Sequence, residues 1–268
     1  MTPFSNEELE RITREYSRRD RLGCSRIYTY TNPAYLFHIQ EREWAILQLL
    51  KEEGIELKGL SILDVGCGTG NVLHRFIEFG ARSANGIDLM ESRIKIAKER
   101  YPHLQLVRGN AAQLPYARGS FDLVMQFMCL SSVLDQNMRK EIANEMWRVL
   151  RPGGALLFYD LRPRPLTARL LFRFFSVLKR VLKLLMREDK NANPSIESYP
   201  PTPIKPLTLK EIKNLFSRDP VKWRVVSLDF NLSWVAGKIR FLAYLLTYLV
   251  FLRTHYLVLF RKISCAGV

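Results

Sequence analysis

Closely spaced glycines follow a short apolar run in the sequence LDVGCGTGN, which extends from Leu63 to Asn71. Gly66, Gly68 and Gly70 allow the backbone to turn sharply and to approach a ligand where a Cβ atom would clash. The spacing is GxGxG, which is neither the GxGxxG fingerprint of dinucleotide sites nor the GxxxxGK pattern of phosphate-binding loops. No Lys or Arg lies in the loop, and Asp64 beside it would repel a phosphate. The loop therefore favours a nucleoside that carries a positive amine and no phosphate.

Polar groups also follow the next two predicted strands. Asp88 ends one of them in GIDL, where a carboxylate can accept hydrogen bonds from both hydroxyls of a ribose. Asn110 and Ala111 come just after the following strand, where an amide oxygen and a backbone N–H can read an adenine edge. Ligands of such sheets bind outside the carboxyl ends of the strands. We therefore expect the amine, ribose and adenine contacts in order along one edge of a sheet.

The elements that must position these residues alternate between strand and helix. Strands are predicted at 61–65, 84–88, 104–108, 121–127 and 155–159, and helices at 71–79, 92–100 and 139–150. This alternation predicts an α/β fold with a doubly wound, mostly parallel sheet. Two helices are predicted before this block, at 5–20 and 34–53. Alternation resumes near the C-terminus, with elements predicted at 208–217 (helix), 222–232 (strand), 238–252 (helix) and 255–262 (strand).

Five segments resemble class I S-adenosylmethionine-dependent methyltransferases of the small-molecule type. They are ILDVGCGTGN, GIDL, GNAAQLPY, FDLVMQFMCLSSVLD and EMWRVLRPGGALLFYD, and they cover about residues 60–160. The resemblance implies a seven-stranded Rossmann-like sheet with an antiparallel last strand, and S-adenosyl-L-methionine as the cofactor. It also implies the cofactor-binding residues, which are Asp64, Gly66, Cys67, Gly68, Gly70, Asp88, Leu89, Asn110, Ala111 and Phe127. Asn110 stands where the family usually has Asp, so modestly weaker cofactor binding is expected.

The acceptor side of the site is less well specified by the sequence. A hydroxyl acceptor benefits from a general base, and the candidates are His38 on a predicted N-terminal helix and Asp135 after the fourth strand. A packing role for His38 remains the alternative. Tyr28, Tyr30 and Met128 are expected to line the substrate, although the tyrosines equally suit a packed N-terminal arm. The sequence QFMC after the fourth strand replaces the NPPY tetrad of enzymes that methylate DNA or glutamine amides, which argues against those substrates.

A formal net charge of +15 suits a polyanionic partner, either nucleic acid or an anionic membrane surface. The segment 165–187 overlaps TARLLFRFFSVLKRVLKLLMRE (residues 167–188), in which basic residues and Ser176 recur every three or four positions beside a wide apolar face. This pattern is typical of a helix that lies in an anionic membrane interface. A lid over a hydrophobic substrate and an ordinary packed helix remain alternatives. Nucleic acid is disfavoured because the basic residues alternate with aliphatic ones and not with stacking ones.

The sequence predicts a single methyltransferase domain over residues 1–268, with a helical arm or lid at 1–53 and a basic, apolar insertion at 162–206. The expected function is methyl transfer to a small-molecule acceptor that is hydrophobic, quinone-like or linked to a lipid or glycan, at the membrane surface. A methyltransferase for a soluble metabolite, with the basic helix only a lid, is the main alternative. A non-catalytic subunit that binds the cofactor or RNA is the other.

Two features of the sequence bear on the expected cellular location, namely the charge of the N-terminus and the length of the apolar runs. The charged N-terminus has no apolar segment of the kind found in secretory signals. The longest charge-free apolar run, at 241–252, is too short to span a bilayer as a helix. We therefore expect a cytoplasmic protein, either free or attached peripherally to a membrane. The four cysteines are far apart, so no metal site is expected. No feature of the sequence indicates an oligomeric state.

Overall fold

The computed structural model describes residues 3–24, 28–165, 176–177, 202–229, 232–233 and 248–263. Its strands form one seven-stranded sheet from β1 (Ser61–Val65), β2 (Ser83–Asp88), β3 (Gln105–Arg108), β4 (Phe121–Phe127), β5 (Leu150–Leu161), β6 (Lys222–Leu228) and β7 (Arg253–Arg261). The strand order is β3-β2-β1-β4-β5-β7-β6. Strands β1 to β5 pair in parallel, and β7 is antiparallel to both β5 and β6. The predicted doubly wound, mostly parallel sheet with an antiparallel last strand is therefore confirmed.

Six helices are described around the sheet: α1 (Pro3–Arg21), α2 (Pro33–Glu52), α3 (Asn71–Glu78), α4 (Glu91–Arg100), α5 (Gln136–Val149) and α6 (Leu209–Phe216). Thr208 begins α6 with a capping box that it shares with Glu211, as the residue type suggests. Short 3₁₀ turns cover Leu130–Ser132 and Val250–Leu252. Within the described ranges, no helix combines the length and the apolar character needed to cross a membrane.

Two strand boundaries differ from the sequence prediction by four residues or more. β5 begins at Leu150 instead of residue 155, because Leu150 pairs with Phe121 before a bulge in the ladder. β6 ends at Leu228 and does not extend to residue 232. The predicted basic helix at 165–187 and most of the predicted helix at 238–252 lie outside the described residues.

Side chains of the central strands alternate between two apolar layers. In β4, Leu123 packs in the layer that contains Leu49 of α2, whereas its neighbour Val124 packs in the layer that contains Ile142 of α5. All of β4 is buried, which is typical of a parallel strand covered by helices on both faces. Each fully buried side chain of this size contributes about 1.5–3 kcal/mol to folding. The two layers hold the strand ends rigidly at the edge where the site lies.

The carboxyl ends of the parallel strands meet at one edge of the sheet. Antiparallel β7 starts at this same edge, because His255 pairs with Leu161 at the end of β5. Residues far apart in the chain, at the ends of β1, β2, β4, β5 and β6 and at the start of β7, are therefore brought together. This edge is where the sequence places the ligand.

Helix α1 is fastened across the loop that follows β4. The Glu8 carboxylate accepts the backbone N–H of Leu134 at 2.5 Å and forms an ion pair with Arg11 at 2.7 Å. The Tyr16 hydroxyl lies 2.8 Å from the Ser132 hydroxyl. Burial alone would raise the pKa of Glu8, but the hydrogen bonds from Arg11 and Leu134 outweigh it and lower that pKa. The N-terminal arm thus forms one wall of the site.

Candidate functional site

A cavity of about 1430 Å³ opens at the carboxyl edge of the strands. Most of the residues singled out from the sequence line it: Tyr28, His38, Asp64, Gly66, Cys67, Gly68, Asp88, Leu89, Asn110, Ala111, Phe127 and Met128. Gly70, Tyr30 and Asp135 do not belong to the lining. A pocket for one drug-sized ligand usually measures about 300–1,000 Å³, so this cavity has room for two ligands side by side.

The glycine loop turns at the end of β1 with its backbone open to the cavity. Gly66 and Gly68 have positive φ angles of 81° and 54°, which favour glycine. A Cβ atom on Gly66 would lie 2.8 Å from the Cβ and Sγ atoms of Cys129, so no other residue fits there. A Cβ atom on Gly68 would meet nothing within 4 Å. The open space beside Gly68 allows a ligand to approach the backbone closely.

Gly70 has a different role from the other two glycines. It is the N-cap of α3 with a φ of 76°, and it lies outside the cavity lining. A Cβ atom there would lie 3.2 Å from Leu104 and 3.3 Å from Tyr101. Glycine is therefore needed at position 70 because of its backbone angle at the start of α3 and its close packing against Leu104 and Tyr101. It does not contact the cavity.

Asp88 ends β2 with its carboxylate held by the backbone. One oxygen accepts the N–H of Gly68 at 2.8 Å, and the other accepts the N–H of Met90 at 2.9 Å. A carboxylate has about four lone-pair sites, so two remain for donors in the cavity. This arrangement fits a pair of ribose hydroxyls, and it also ties the ribose site to the conformation of the glycine loop.

Asp64 is a buried acid whose charge has no partner in the described chain. It is 1% exposed, and its Oδ1 atom accepts no hydrogen bond from a described residue. Burial, and then the nearby Asp88 carboxylate, raises the pKa of Asp64 to about 8, although Arg42 opposes the shift. An orphaned acceptor of this kind beside a cavity fits a positively charged amine, which would supply the missing partner.

The raised pKa of Asp64 predicts how stability depends on pH in the ligand-free protein. A folded pKa of about 8 against the usual 3.8 means that stability is lost as the pH rises through this window. Asp64→Asn is therefore expected to unfold at a higher temperature than the parent at pH 8, by an amount equivalent to about 1–3 kcal/mol, and to differ little at pH 4. Calorimetry at both pH values measures this, and equal pH dependence of the two proteins would contradict it.

Asn110 is held in a tight turn after β3. Its Oδ1 atom accepts the backbone N–H of Ala112 at 2.9 Å, and its carbonyl accepts the N–H of Gln113 at 3.0 Å. The amide group and a second lone pair on Oδ1 remain for a ligand. Leu89 and Ala111 line the cavity beside it as partly buried side chains. The turn fixes the orientation of the groups that the sequence assigns to adenine.

Helix α2 contributes two polar residues to the other end of the cavity. His38 and Arg42 are four residues apart, so they share one face of the helix. The Nε2 atom of His38 lies 3.1 Å from the hydroxyl of Tyr159, which itself lies 2.8 Å from the hydroxyl of Ser227. Burial, and then the Arg42 charge, lowers the pKa of His38 to about 3. His38 is therefore neutral, which is the form that accepts a proton.

A second histidine completes this wall. The ring of His255 stacks on Tyr159 with centroids 4.7 Å apart, and it meets the His38 ring edge-on at 5.2 Å. Its Nδ1 atom lies 2.9 Å from the Thr254 hydroxyl. Burial, and then His38, holds the pKa of His255 well below its usual value. Three aromatic rings from α2, β5 and β7 thus form one uncharged surface in the cavity.

Arg42 is a functional candidate that the sequence interpretation missed. Its guanidinium carbon lies 5.6 Å from the ring centre of Phe127 and 5.8 Å from that of Tyr159. Its Nε atom has no hydrogen-bond partner, and no carboxylate among the described residues forms an ion pair with it. The only sequence signal was its spacing from His38. Arg42 therefore places an uncompensated cation beside the cavity.

The remaining predicted residues are less central. Asp135 is the N-cap of α5, where its carboxylate accepts the N–H of Met138 at 2.7 Å, and this use as a cap does not support a role as a base. Tyr30 is 58% exposed and lies 6.1 Å from the ring of Tyr35. Tyr28 lies 5.5 Å from Tyr35 and does line the cavity.

The chain matches known methyltransferases over its central segment. Residues 62–154 match the family model described as a methyltransferase domain. A phthiotriol/phenolphthiotriol dimycocerosates methyltransferase of Mycobacterium ulcerans is 40% identical over 114 residues, which are 41% of this chain and 40% of that protein. A demethylmenaquinone methyltransferase of Listeria welshimeri is 34% identical over 110 residues, 38% of this chain and 45% of that protein. The match thus spans less than half of these curated relatives.

The fold extends beyond that segment. A solved S-adenosylmethionine-dependent methyltransferase of Mesorhizobium loti superposes with a TM-score of 0.52, covering 82% of this chain and 97% of that one. At 20% identity this likeness speaks for the fold alone. The orphaned Asp64 and the open space at Gly68 fit the amine and the nucleoside of S-adenosylmethionine, on which that solved methyltransferase depends by its description. The chain therefore matches a methyltransferase domain over residues 62–154 and shares the fold of a solved S-adenosylmethionine-dependent methyltransferase.

Proposed function

We propose that the chain transfers the methyl group of S-adenosylmethionine to a hydrophobic small-molecule acceptor. One observation carries the proposal: a single cavity of about 1430 Å³ is lined both by the polar strand ends and by apolar side chains. We call the part of it that is lined by Leu161, Ile204 and Leu228, together with the aromatic wall of Tyr159 and His255, the apolar compartment. A cofactor beside the glycine loop leaves this compartment for the acceptor.

We assign the cofactor-binding residues from polar and charged groups beside the cavity that have hydrogen-bonding capacity left unused by the described chain. Asp64 would receive the amine of the methionine part, and Arg42 would receive its carboxylate. Asp88 would accept the ribose hydroxyls, while Asn110 and Ala111, which line the same cavity, would contact the adenine. An acid and a base that both lie beside one cavity without partners match a zwitterion, because each charge compensates one buried group.

The pairing of Arg42 with a carboxylate can be tested by ligand truncation. Arg42→Met is expected to weaken binding of S-adenosylmethionine about 10- to 100-fold, because a charge-assisted hydrogen bond contributes about 1.5–3 kcal/mol. Binding of 5′-methylthioadenosine, which lacks the amino acid, should be unchanged. Isothermal calorimetry with both ligands measures this. An equal loss for the two ligands would show that Arg42 acts on the fold and not on the carboxylate.

The bound cofactor supplies an activated methyl group, so the protein has to orient the acceptor, exclude water and handle a proton. We propose that His38 accepts the proton of a hydroxyl acceptor, with Tyr159 holding the imidazole in place. Burial, and then the Arg42 charge, keeps the pKa of His38 low in the ligand-free protein. A carboxylate bound to Arg42 would offset that charge and make His38 more basic when the cofactor is present.

The names of the relatives support a hydrophobic acceptor. One relative is named for methylating phthiotriol and phenolphthiotriol dimycocerosates and another for methylating demethylmenaquinone. A lipid-linked or quinone-like acceptor at the membrane surface agrees with these names and with the apolar compartment. A soluble metabolite remains the competing acceptor class.

The proposal is tested with the methyl-labelled cofactor and a total extract of the source cells. The parent protein is expected to move label into the organic phase, and Asp88→Ala, which removes the proposed ribose contact, should not. Label that enters only the aqueous phase would favour a soluble acceptor. If the parent binds no S-adenosylmethionine in a calorimeter and transfers no label, the proposed activity is wrong.

A further inference from the structure

Four consecutive apolar side chains are exposed immediately before β7. Tyr248, Leu249, Val250 and Phe251 are 65%, 41%, 55% and 38% exposed, whereas the next residue, Leu252, is 1% exposed. Single exposed apolar residues are common on protein surfaces and need no explanation. A contiguous run of four is unusual for a solvated surface and indicates a contact with something apolar.

The run lies close in the chain to residues of the cavity wall. Thr254 and His255, a few residues further along the chain, line that cavity. The backbone N–H of Arg162 donates to the carbonyl of Thr254 at 3.0 Å, and its guanidinium donates to the carbonyl of Phe251 at 3.3 Å. These bonds tie the run to the end of β5, where Leu161 and Arg164 on either side of Arg162 line the cavity.

Arg162 adds a positive charge beside the apolar run. Burial lowers the pKa of its guanidinium, and its Nε atom has no hydrogen-bond partner among the described residues. No described carboxylate forms an ion pair with Arg162, whereas Arg164, two residues on, pairs with Asp229 at 2.7 Å. A half-buried cation of this kind is available to an anion from outside the chain.

Two further exposed apolar side chains belong to the cavity lining itself. Tyr28 and Ile204 both line the cavity and are 40% and 41% exposed. They come from the connection between α1 and α2 and from the segment before α6. The mouth of the cavity is therefore apolar on more than one side, although the chain as a whole carries a net charge of +15.

We infer that residues 248–251 and Arg162 dock the mouth of the cavity on an anionic lipid surface. Tyrosine and aliphatic side chains are stable at the boundary between headgroups and acyl chains, and an adjacent arginine binds the headgroup phosphates. The net charge attracts the protein to such a surface. Docking in this orientation points the apolar compartment at the lipid, so that a hydrophobic acceptor enters without crossing water. The inference deepens the proposed function and rests on its hydrophobic acceptor.

Sedimentation of the full chain with lipid vesicles tests the docking surface without requiring turnover. Vesicles of phosphatidylcholine alone are compared with vesicles that contain one part phosphatidylglycerol to three parts phosphatidylcholine. The parent is expected to bind only the anionic vesicles. The double variant V250S/F251S should bind them about tenfold more weakly, and Arg162→Gln about fivefold more weakly.

A matched control removes two exposed apolar side chains elsewhere. Val107 on β3 and Val221 before β6 are 39% and 48% exposed and do not line the cavity. V107S/V221S should bind the anionic vesicles as the parent does. All variants should melt near the parent temperature and bind S-adenosylmethionine equally, which separates this test from that of the proposed activity.

Three results would overturn the inference. The parent could fail to bind either kind of vesicle, or it could bind neutral vesicles as strongly as anionic ones. The control V107S/V221S could also lose as much binding as V250S/F251S. The parent could also self-associate, as measured by light scattering, without binding vesicles. If V250S/F251S abolished that self-association, the run would instead form an interface between two copies of the chain.

Discussion

Asp88→Ala is expected to weaken binding of S-adenosylmethionine by at least about 100-fold, the largest loss of affinity of any single substitution in the site. The carboxylate would lose two charge-assisted hydrogen bonds to the ribose, each equivalent to about 1.5–3 kcal/mol. It also holds the N–H groups of Gly68 and Met90 at 2.8 and 2.9 Å, so its removal loosens the backbone that faces the nucleoside. Calorimetry with the ligand measures the loss.

Asp88→Asn separates the loss of the ribose hydrogen bonds from the loosening of the backbone at Gly68 and Met90. An amide keeps one oxygen for a backbone N–H but replaces the other acceptor by a donor. We expect its affinity to lie between those of the parent and of Asp88→Ala. Thermal melting without ligand reports on the loop, because only a structural loss lowers the melting temperature. Parent-like affinity of Asp88→Ala would mean that the ribose lies elsewhere and that the assignment of this carboxylate is wrong.

His38→Ala is expected to lower kcat about 10²- to 10⁴-fold, which is the usual contribution of a general base. Affinity for S-adenosylmethionine should stay within about threefold of the parent, because His38 lies on the acceptor side. The measurement is transfer of labelled methyl to the extract, together with calorimetry for the cofactor. An unchanged rate in His38→Ala would show that the acceptor needs no base from this residue.

Tyr159→Phe is the matched variant for a positioning role. It removes the hydroxyl that lies 3.1 Å from His38 but keeps the ring that stacks on His255. We expect a smaller loss of kcat than in His38→Ala, with no change in cofactor affinity. In the double variant the two losses should not add, because without the imidazole the tyrosine hydroxyl has nothing to orient.

The pH profile gives a further check on His38. The groups that face it are Arg42 on its own helix, Tyr159 on β5 and His255 on β7. Because its pKa is about 3 in the ligand-free protein, His38 is neutral throughout the range above pH 5. The value of kcat/KM for the cofactor, which reports the free enzyme, should therefore not fall on acidification through pH 6.5, where an ordinary histidine gains its proton. A fall at that pH would indicate a His38 that is far more solvated.

Local sequence determined the donor side of the site. The glycine loop, Asp64 and Asp88 act through the backbone geometry of one strand, one turn and the next strand, which nearby residues specify. The doubly wound sheet was equally predictable, because alternating strands and helices leave few other arrangements. Gly70 is an exception, because its role could not be predicted from the motif alone. The motif includes it, yet only the packing of Leu104 and Tyr101 shows that it serves the start of α3.

Only the tertiary structure decided the acceptor side. His38, Tyr159, Ser227 and His255 lie on four different elements, and no local spacing relates them. They meet because β7 inserts between β5 and β6 in the antiparallel sense and so returns its first residues to the carboxyl edge. Asp135 was ambiguous for the same reason, since a polar residue after a strand suits a cap and a base equally well until its partner is known. The sequence thus determines which methyl donor fits, while side chains that converge across the sheet determine what can face it.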